Sequence, residues 1–349
     1  MLLQEDLTIS KEFLKNDENK KQLCQLLLKV WSSEQSASRL EKTSLSMIVV
    51  EGKVYSLTSQ NGKVERNEVF SLYSNQEETD TRVVIYLAYA AAQGYLNAVV
   101  RTPDTDIFMI LLYHCNSLDI NVFLDTGSGK HRQLINMTEL ARSLGQEYCS
   151  ALLAFYVFTG EDCTSAFKGK GKITPLKKLE KNPRFQRIFA SLGDEWVLDA
   201  DIAQQLETFT CIMYGDKRET SVDKVRAKLL RKMVGTDKSL TSKSKVDFSC
   251  LPPCWSALEP RLHRVNHRVA LYKRANQPII ERPAPYDDKQ GWMLSDGFLT
   301  PIWSYGPVLP TSMVDLLNTI DMDDEDDEEE EDDEFGDEIE SDDDDDDDY

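Results

Sequence analysis

Three short acidic groups are the residues best suited to chemistry: Glu77, Glu78 and Asp80; Asp104 and Asp106; and Asp162. Carboxylates sharing one crevice repel each other, and their pKa values rise unless cations neutralise them. A pair of Mg2+ or Mn2+ ions about 4 Å apart would do this, activating water and steadying the leaving oxygen of a phosphodiester. In the run TPDTD, Pro103 fixes the bend, and the i, i+2 spacing aims Asp104 and Asp106 in nearby directions. Each group also has an ordinary reading, because acids in a first helical turn complement the helix dipole and Asp-x-Asp is common in loops. Metal chemistry is therefore expected only if the fold brings the three groups together.

The elements around them alternate. SLSMIVVEGKVYSLT predicts two strands about a tight turn at Glu51-Gly52-Lys53. Ser74 and Glu77 have capping-box spacing before a helix that runs through Val84, Leu87 and Ala91 and stops at Gly94. A strand is expected at 97–101, an apolar segment at 107–113, a strand at 120–127 and a long helix over 138–158. Such alternation predicts an α/β domain with a mainly parallel twisted sheet and helices on both faces, whose strand ends converge on a shared crevice. Five segments are expected: a helical preamble over 1–45, an α/β core over 46–159, a basic helical lobe over 160–245 with helices at 197–214 and 221–234, a proline-rich extension over 246–320 with one helix at 259–275, and a disordered acidic tail over 321–349.

The motifs EETDTR (77–82), RTPDTD (101–106) and FTGEDCTSAF (158–167) resemble the flap-endonuclease branch of the PIN-like nucleases. They resemble still more a group of animal proteins with the signature EEADTR, RTPDTD and FTGCDTTSAF. The resemblance covers about residues 70–235 and implies a PIN-like fold whose acids bind two divalent metals for phosphodiester cleavage. By position it makes Glu78, Asp80, Asp104, Asp106 and Asp162 both metal ligands and catalytic residues, with Glu77 as an optional extra ligand. The segment SAFKGKGKITPLKKLEKN resembles the helix-two-turn-helix that grips a DNA backbone. There Gly169 and Gly171 would let the backbone approach phosphates while Lys168, Lys170, Lys172, Lys177 and Lys178 neutralise them. The ordinary reading is a solvated lysine-rich turn.

Three departures set up an alternative. Family nucleases begin with a strand ending in a metal-binding Asp, and nothing before Glu77 reproduces it; Thr79 replaces a small Ala; and Glu161 adds a charge beside Asp162 where relatives often carry Cys. The primary expectation is a metal-dependent, structure-selective nuclease acting on DNA in preference to RNA. The alternative is a catalytically impaired descendant, derived from a mobile element, that binds nucleic acid or protein.

Composition excludes other classes. The 349 residues are 41% hydrophobic, enough for a real core. Of the 61 acidic residues, 23 lie in 321–349, and the other 38 face 40 Lys and Arg, so the net charge of −21 belongs to the tail. Binding of basic proteins such as histones, or competition with nucleic acid for the cationic lobe, is the functional reading of that tail; solubilisation is the ordinary one. Seven scattered cysteines fit reduced thiols, and the acidic start lacks secretory-signal character, so an intracellular protein, nuclear in preference to cytoplasmic and without membrane association, is expected. Cys250, Cys254, His263 and His267 have zinc-ligand types, but the short gap between the pairs and Pro252-Pro253 make the segment read as a docking strap. The cations Arg261, Arg264, Arg268, Lys273 and Arg274 read as either phosphate contacts or a wet helix face.

Overall fold

The structure, a computed structural model, describes residues 13, 15–43, 46–234 and 247–306. The end of the expected basic lobe, 235–245, and the acidic tail lie outside the described residues.

Helices α1 (Asp17–Trp31) and α2 (Ala37–Leu40) lead into a three-stranded antiparallel meander, β1 (Ser46–Val50), β2 (Lys53–Gln60) and β3 (Lys63–Glu68). Glu51-Gly52 and Asn61-Gly62 both take left-handed conformations, as two-residue hairpin turns require. The second turn supplies a strand that the sequence reading missed. Val54 from β2 and Leu72 form a small core with Ile85 of helix α3 (Thr79–Ala92). That helix starts later than a Ser74 capping box implies. Ser74 Oγ instead accepts from Gln76 N at 3.0 Å, and Glu78 becomes the N-cap.

Strand β4 (Asn97–Arg101), helix α4 (Thr105–His114) and strand β5 (Asn121–Thr126) form a β-α-β unit, with Val99 paired parallel to Phe123. β6 (Gln133–Asn136) then returns antiparallel to β5. The mainly parallel sheet expected from the alternation is thus not what the described residues form: a return of a few residues closes a hairpin, whereas a parallel neighbour needs a crossover. Nor do helices cover both faces. Val122 and Leu124 point into the core, while the opposite face carries exposed Val99 and Leu134 and an Arg101–Asp125–Arg132 ion-pair group. The protein is mixed α/β, with small sheets and eleven α-helices among the described residues.

The helix expected over 138–158 is two, α5 (Met137–Leu144) and α6 (Gln146–Thr159), separated by Gly145. α6 is the central helix, burying Leu153, Ala154, Val157 and Phe158. α8 (Pro183–Ser191) packs along it and α9 (Ala200–Met213) meets it through Phe209, while α7 (Ile173–Glu180) packs on α8 and α9, and α10 (Val222–Val234) on α9. Phe158, Phe185, Phe189 and Phe209 stack edge-to-face with centroids 5.1–5.2 Å apart at the closest pairs, so the core runs unbroken across residue 160.

Helix α11 (Trp255–Lys273) passes through the middle of the molecule and is buried on nearly every side. Its cations are neither a wet face nor phosphate contacts. Arg261 donates to Ser165 O at 2.7 Å, Arg264 to Ile302 O at 2.6 Å, and Lys273 to Ala190 O and Asp194, both at 2.6 Å. These side chains satisfy carbonyls at loop and helix ends that burial would otherwise leave unpaired. The chain then folds over α11 through a two-stranded hairpin, β7 (Trp292–Ser295) and β8 (Phe298–Pro301). None of the described helices is long and apolar enough to cross a membrane.

Candidate carboxylate site

The approach to α3 is tied to the far end of the chain. Gln76 is buried and donates to Ala275 O and Gln277 O at 3.0 and 2.7 Å; Asn75 exchanges hydrogen bonds with the backbone of Ile280; and Arg82 Nε donates to Gln76 O at 2.7 Å. These bonds set Glu78 against Arg268 in the C-terminal half of α11, with Asp80 within the same guanidinium's field.

Asp104 caps α4, its Oδ1 accepting from Asp106 N at 2.9 Å. Asp106, in the first turn, is buried. Its Oδ1 accepts from the Tyr156 hydroxyl of α6 and its Oδ2 from the Tyr272 hydroxyl of α11 at 2.8 Å. Burial, reinforced by the hydrogen bond to Asp106, pushes Tyr156 well above the usual phenol range. Burial raises Tyr272 likewise, so both remain neutral donors at physiological pH. The helical pitch places Asp104 at the cap and Asp106 inside, rather than leaving both free on a strand-end loop.

The third segment leaves α6 through Gly160, at φ +120°, where a Cβ would sit 2.8 Å from Ala166 Cα. Only glycine closes that turn without strain. Glu161 and Thr164 then exchange backbone hydrogen bonds at 3.1 Å, fixing the loop. The Glu161 side chain is fully buried; the Cys163 N–H faces its carboxylate, and no side chain donates a hydrogen bond to it. Arg268 of α11 stands between the segments: Nη1 donates to Glu78 Oε1 at 2.6 Å, Nε lies 3.6 Å from Glu161, and the guanidinium stacks on Tyr272 at 4.6 Å. Burial works against the Arg268 charge, but the bond to Glu78 and the fields of Tyr272 and Glu161 outweigh it and hold its pKa above the ordinary value.

Of the sequence-predicted residues, Glu78, Asp80, Asp104 and Asp106 share one electrostatic neighbourhood. Burial, then the negative fields of Asp104, Glu78 and Asp106, push Asp80 up to about 6, against a smaller lowering by Arg268. Asp162 does not join them; it is exposed, and its neighbour Glu161 enters instead, raised by burial and, more weakly, by Asp106 and Glu78, while Arg268 and the Cys163 N–H pull the other way. Glu77 points outward, paired with Arg282 at 2.8 Å. Glu161, Arg268, Tyr156 and Tyr272 were not singled out as site residues from sequence. The one signal available for Glu161 was a charge placed directly after a glycine that ends an apolar helix.

The donor chemistry fits a hard divalent cation: oxygen ligands only, with Glu78 Oε2 unpartnered and no side chain donating to either Glu161 oxygen. Five carboxylates face two nearby cations, Arg268 and Lys172, the latter lowered by burial and raised by Asp106 and Glu161. Among the described residues, no three acidic, His or Cys side chains are gathered into a metal cage. Arg268 holds Glu78, and the two tyrosines hold Asp106.

The lysines expected to neutralise phosphate divide into two sets. Lys172 donates to Gly160 O at 2.5 Å and lies 3.8 Å over the Tyr156 ring, and Lys178 donates to Ile212 O at 2.6 Å, so both serve the interior. Lys168 makes an exposed ion pair with Asp247 at 2.9 Å, Lys170 lies over Tyr214, and Lys177 is exposed on α7. Gly171 borders open space, and Gly169 approaches only Cys250 Sγ, at 3.9 Å. The zinc-type residues separate: Cys254 contacts Ser256, His263 faces Tyr305, and His267 Nδ1 meets Gln290 Oε1 at 2.7 Å.

Beside Glu78 and Glu161 opens a cavity of about 690 Å3 between the start of α3, the 161–166 loop, α11 and the β7–β8 hairpin. Asp162 and Cys163 lie on its rim. Comparison with protein families, with curated proteins and with solved structures finds no match.

Proposed function

We propose that this chain is a PIN-like, flap-endonuclease-like nuclease that cleaves phosphodiesters with Mg2+ or Mn2+ held by the carboxylate cluster. The observation that carries the reading is the convergence of Glu78, Asp80, Asp104, Asp106 and Glu161 from three separated chain segments, with Arg268 and Lys172 as the compensating cations among the described residues. Such crowding is costly for stability, and a bound divalent cation relieves it. When bound, the metal supplies an activated water and charge stabilisation on the leaving oxygen. The chain's own side chains do the positioning. Tyr156 and Tyr272 keep Asp106 fixed, Arg268 orients Glu78 and Glu161, and Asp162 lines the cavity with Glu77 as an outer carboxylate.

Nucleic acid, DNA in preference to RNA, approaches over the 168–177 segment. Lys168, Lys170 and Lys177 meet phosphate there, with Gly169 and Gly171 allowing close approach; the exposed Lys168–Asp247 pair is readily exchanged. A nuclear protein with basic partners for its acidic tail accords with this substrate. A second reading, a binding module on an impaired nuclease fold, is favoured by the hold of Arg268 on Glu78 and of the two tyrosines on Asp106.

The test is Mn2+-dependent cleavage of labelled flap and single-stranded substrates by the full chain, beside Asp104→Asn/Asp106→Asn and Glu161→Gln. Cleavage by the parent that both variants lose supports the nuclease. DNA binding that survives EDTA, with no cleavage by any form, supports the binding module.

A further inference from the structure

The cavity between the start of α3, the 161–166 loop, α11 and the β7–β8 hairpin has a charge balance that selects its occupant. Glu77, Glu78, Glu161 and Asp162 line it against two cations, Arg268 and Arg282, and both are already held. Arg282 pairs with Glu77 at 2.8 Å; Arg268 pairs with Glu78 at 2.6 Å and lies 3.6 Å from Glu161. The Glu161 side chain is 0% exposed and no side chain donates a hydrogen bond to it, while exposed Asp162 pairs with neither arginine. The cavity therefore carries a negative field that repels an anion and draws a cation. Its other wall is apolar and aromatic, made by Trp292, Leu299, Pro301 and Trp303. Trp292 is held edge-on against His267, with centroids 5.2 Å apart. Trp303 is 65% exposed; Arg264 lies over its ring at 5.6 Å, tied down by the carbonyls of Gly291 and Ile302 at 3.1 and 2.6 Å. A tryptophan beside uncompensated carboxylates suits a flat, delocalised cation. A guanidinium stacks on indole and pairs with carboxylate through its fork of donors, whereas an ammonium is a strongly hydrated point charge.

We propose that this cavity anchors one arginine of a basic peptide segment from a partner protein, its guanidinium stacked on Trp303 and paired with Asp162. Size agrees, since about 690 Å3 lies in the range of cavities that enclose a small ligand. Two features outside the cavity point to a peptide segment and not to a free small cation. The β7–β8 hairpin continues the wall with exposed Leu294, Phe298 and Leu299, an apolar surface for the residues that flank the arginine. Trp303 also lies just before Gly306, where the described chain ends, and the 23 acidic residues of 321–349 follow from there, so the acidic tail is tethered to the cavity wall. A tethered acidic stretch raises the local concentration of a basic chain, and the cavity then supplies the specific contact. Neither metal nor cleavage is needed, so the site stands apart from the nuclease reading.

The test uses the full chain in EDTA with fluorescein-labelled oligoarginine, oligolysine and oligothymidylate as probes. It is run in about 0.5 M NaCl, where screening within about 4 Å suppresses the pull of the tail's charges. Trp303→Ala should weaken oligoarginine binding about 2- to 30-fold, the range of one cation–π contact, and Trp303→Phe should recover part of it. Asp162→Asn, at an exposed position with an unchanged melting temperature, should weaken it about 2- to 5-fold and gives a reading that does not depend on Trp303. Oligolysine should bind more weakly and lose less on Trp303→Ala. Equal binding of oligoarginine by the parent, Trp303→Ala and Asp162→Asn overturns the proposal and leaves the tail as the site for basic partners. Oligolysine bound as tightly, with the same dependence on Trp303, overturns the arginine anchor. Trp303-dependent binding of oligothymidylate that oligoarginine does not displace also overturns it, reassigning the cavity to nucleic acid. Each outcome is read without metal, so the nuclease proposal stands or falls separately.

Discussion

Replacing Arg268 with glutamine tests the electrostatic account at its centre. The Arg268 side chain is 8% exposed and that of Glu161 is 0% exposed, and no other ion pair reaches Glu161 among the described residues. Breaking a buried pair by removing one partner costs about 3–5 kcal/mol. Glu78 is 40% exposed and a glutamine retains one donor toward it, so the loss falls near the lower end, about 3 kcal/mol at pH 7. Protonation of Glu161 limits that cost. A buried carboxylate with no cation has its folded pKa raised far above the unfolded value of about 4.3, so its favourable contribution is complete below that pH and is lost as pH rises through the folded pKa. Each pH unit is worth up to about 1.4 kcal/mol, so the two units from pH 7 to pH 5 remove most of the Arg268→Gln deficit and leave it near zero at pH 5. The assay is urea unfolding of the full chain in EDTA at both pH values, with Glu161→Gln and the double variant as controls. Neutralising Glu161 should restore most of the loss in the double variant. A deficit equal at pH 5 and pH 7, or a double variant no better than Arg268→Gln alone, would refute the reasoning.

Asp80→Asn should stabilise the metal-free protein. Its folded pKa of about 6 lies above the ordinary 3.8, so its ionisation costs stability as pH rises through about 6, and after discounting for partial exposure the variant gains about 1–2 kcal/mol at pH 7 and nothing below pH 4. A pH series of urea melts reads this directly, and the same variant should lose the stabilising effect of Mn2+. Gly160→Ala places a methyl 2.8 Å from Ala166 Cα at a φ of +120°, so a loss of about 1–3 kcal/mol is expected, together with loss of cleavage as the Glu161 loop shifts. Lys177→Ala should lower DNA affinity and reduce the salt dependence of binding by about one counterion. Lys172→Met should instead lower the melting temperature, because its ammonium serves Gly160 O and Tyr156 O; equal effects of the two lysine variants on DNA binding would contradict this division.

What the sequence showed of this molecule follows the range over which its physics acts. The Glu51-Gly52 turn, the strands at 97–101 and 121–126 and the helices at 200–213 and 222–234 depend on neighbours a few residues away, and patterning recovers them. The sheet did not follow, because whether β6 returns antiparallel or continues a parallel series depends on the length of one connection rather than on the strands themselves. The site was legible in part for the same reason. Asp104 and Asp106 were visible as a pair, but the two hydroxyls that hold Asp106 come from 50 and 166 residues away, and no local pattern marks Tyr156 or Tyr272. Helix α11 is the clearest case. Its arginines have the spacing of a solvated face, yet the helix is threaded through the centre, and each cation is consumed by a carbonyl or carboxylate that other segments leave unpaired. Arg268 is then both a structural counter-ion and the group in closest register with Glu161. Whatever cation the site takes must compete with, or add to, a charge the fold already supplies, so the affinity of the site for metal and the stability of α11 in its place are coupled quantities.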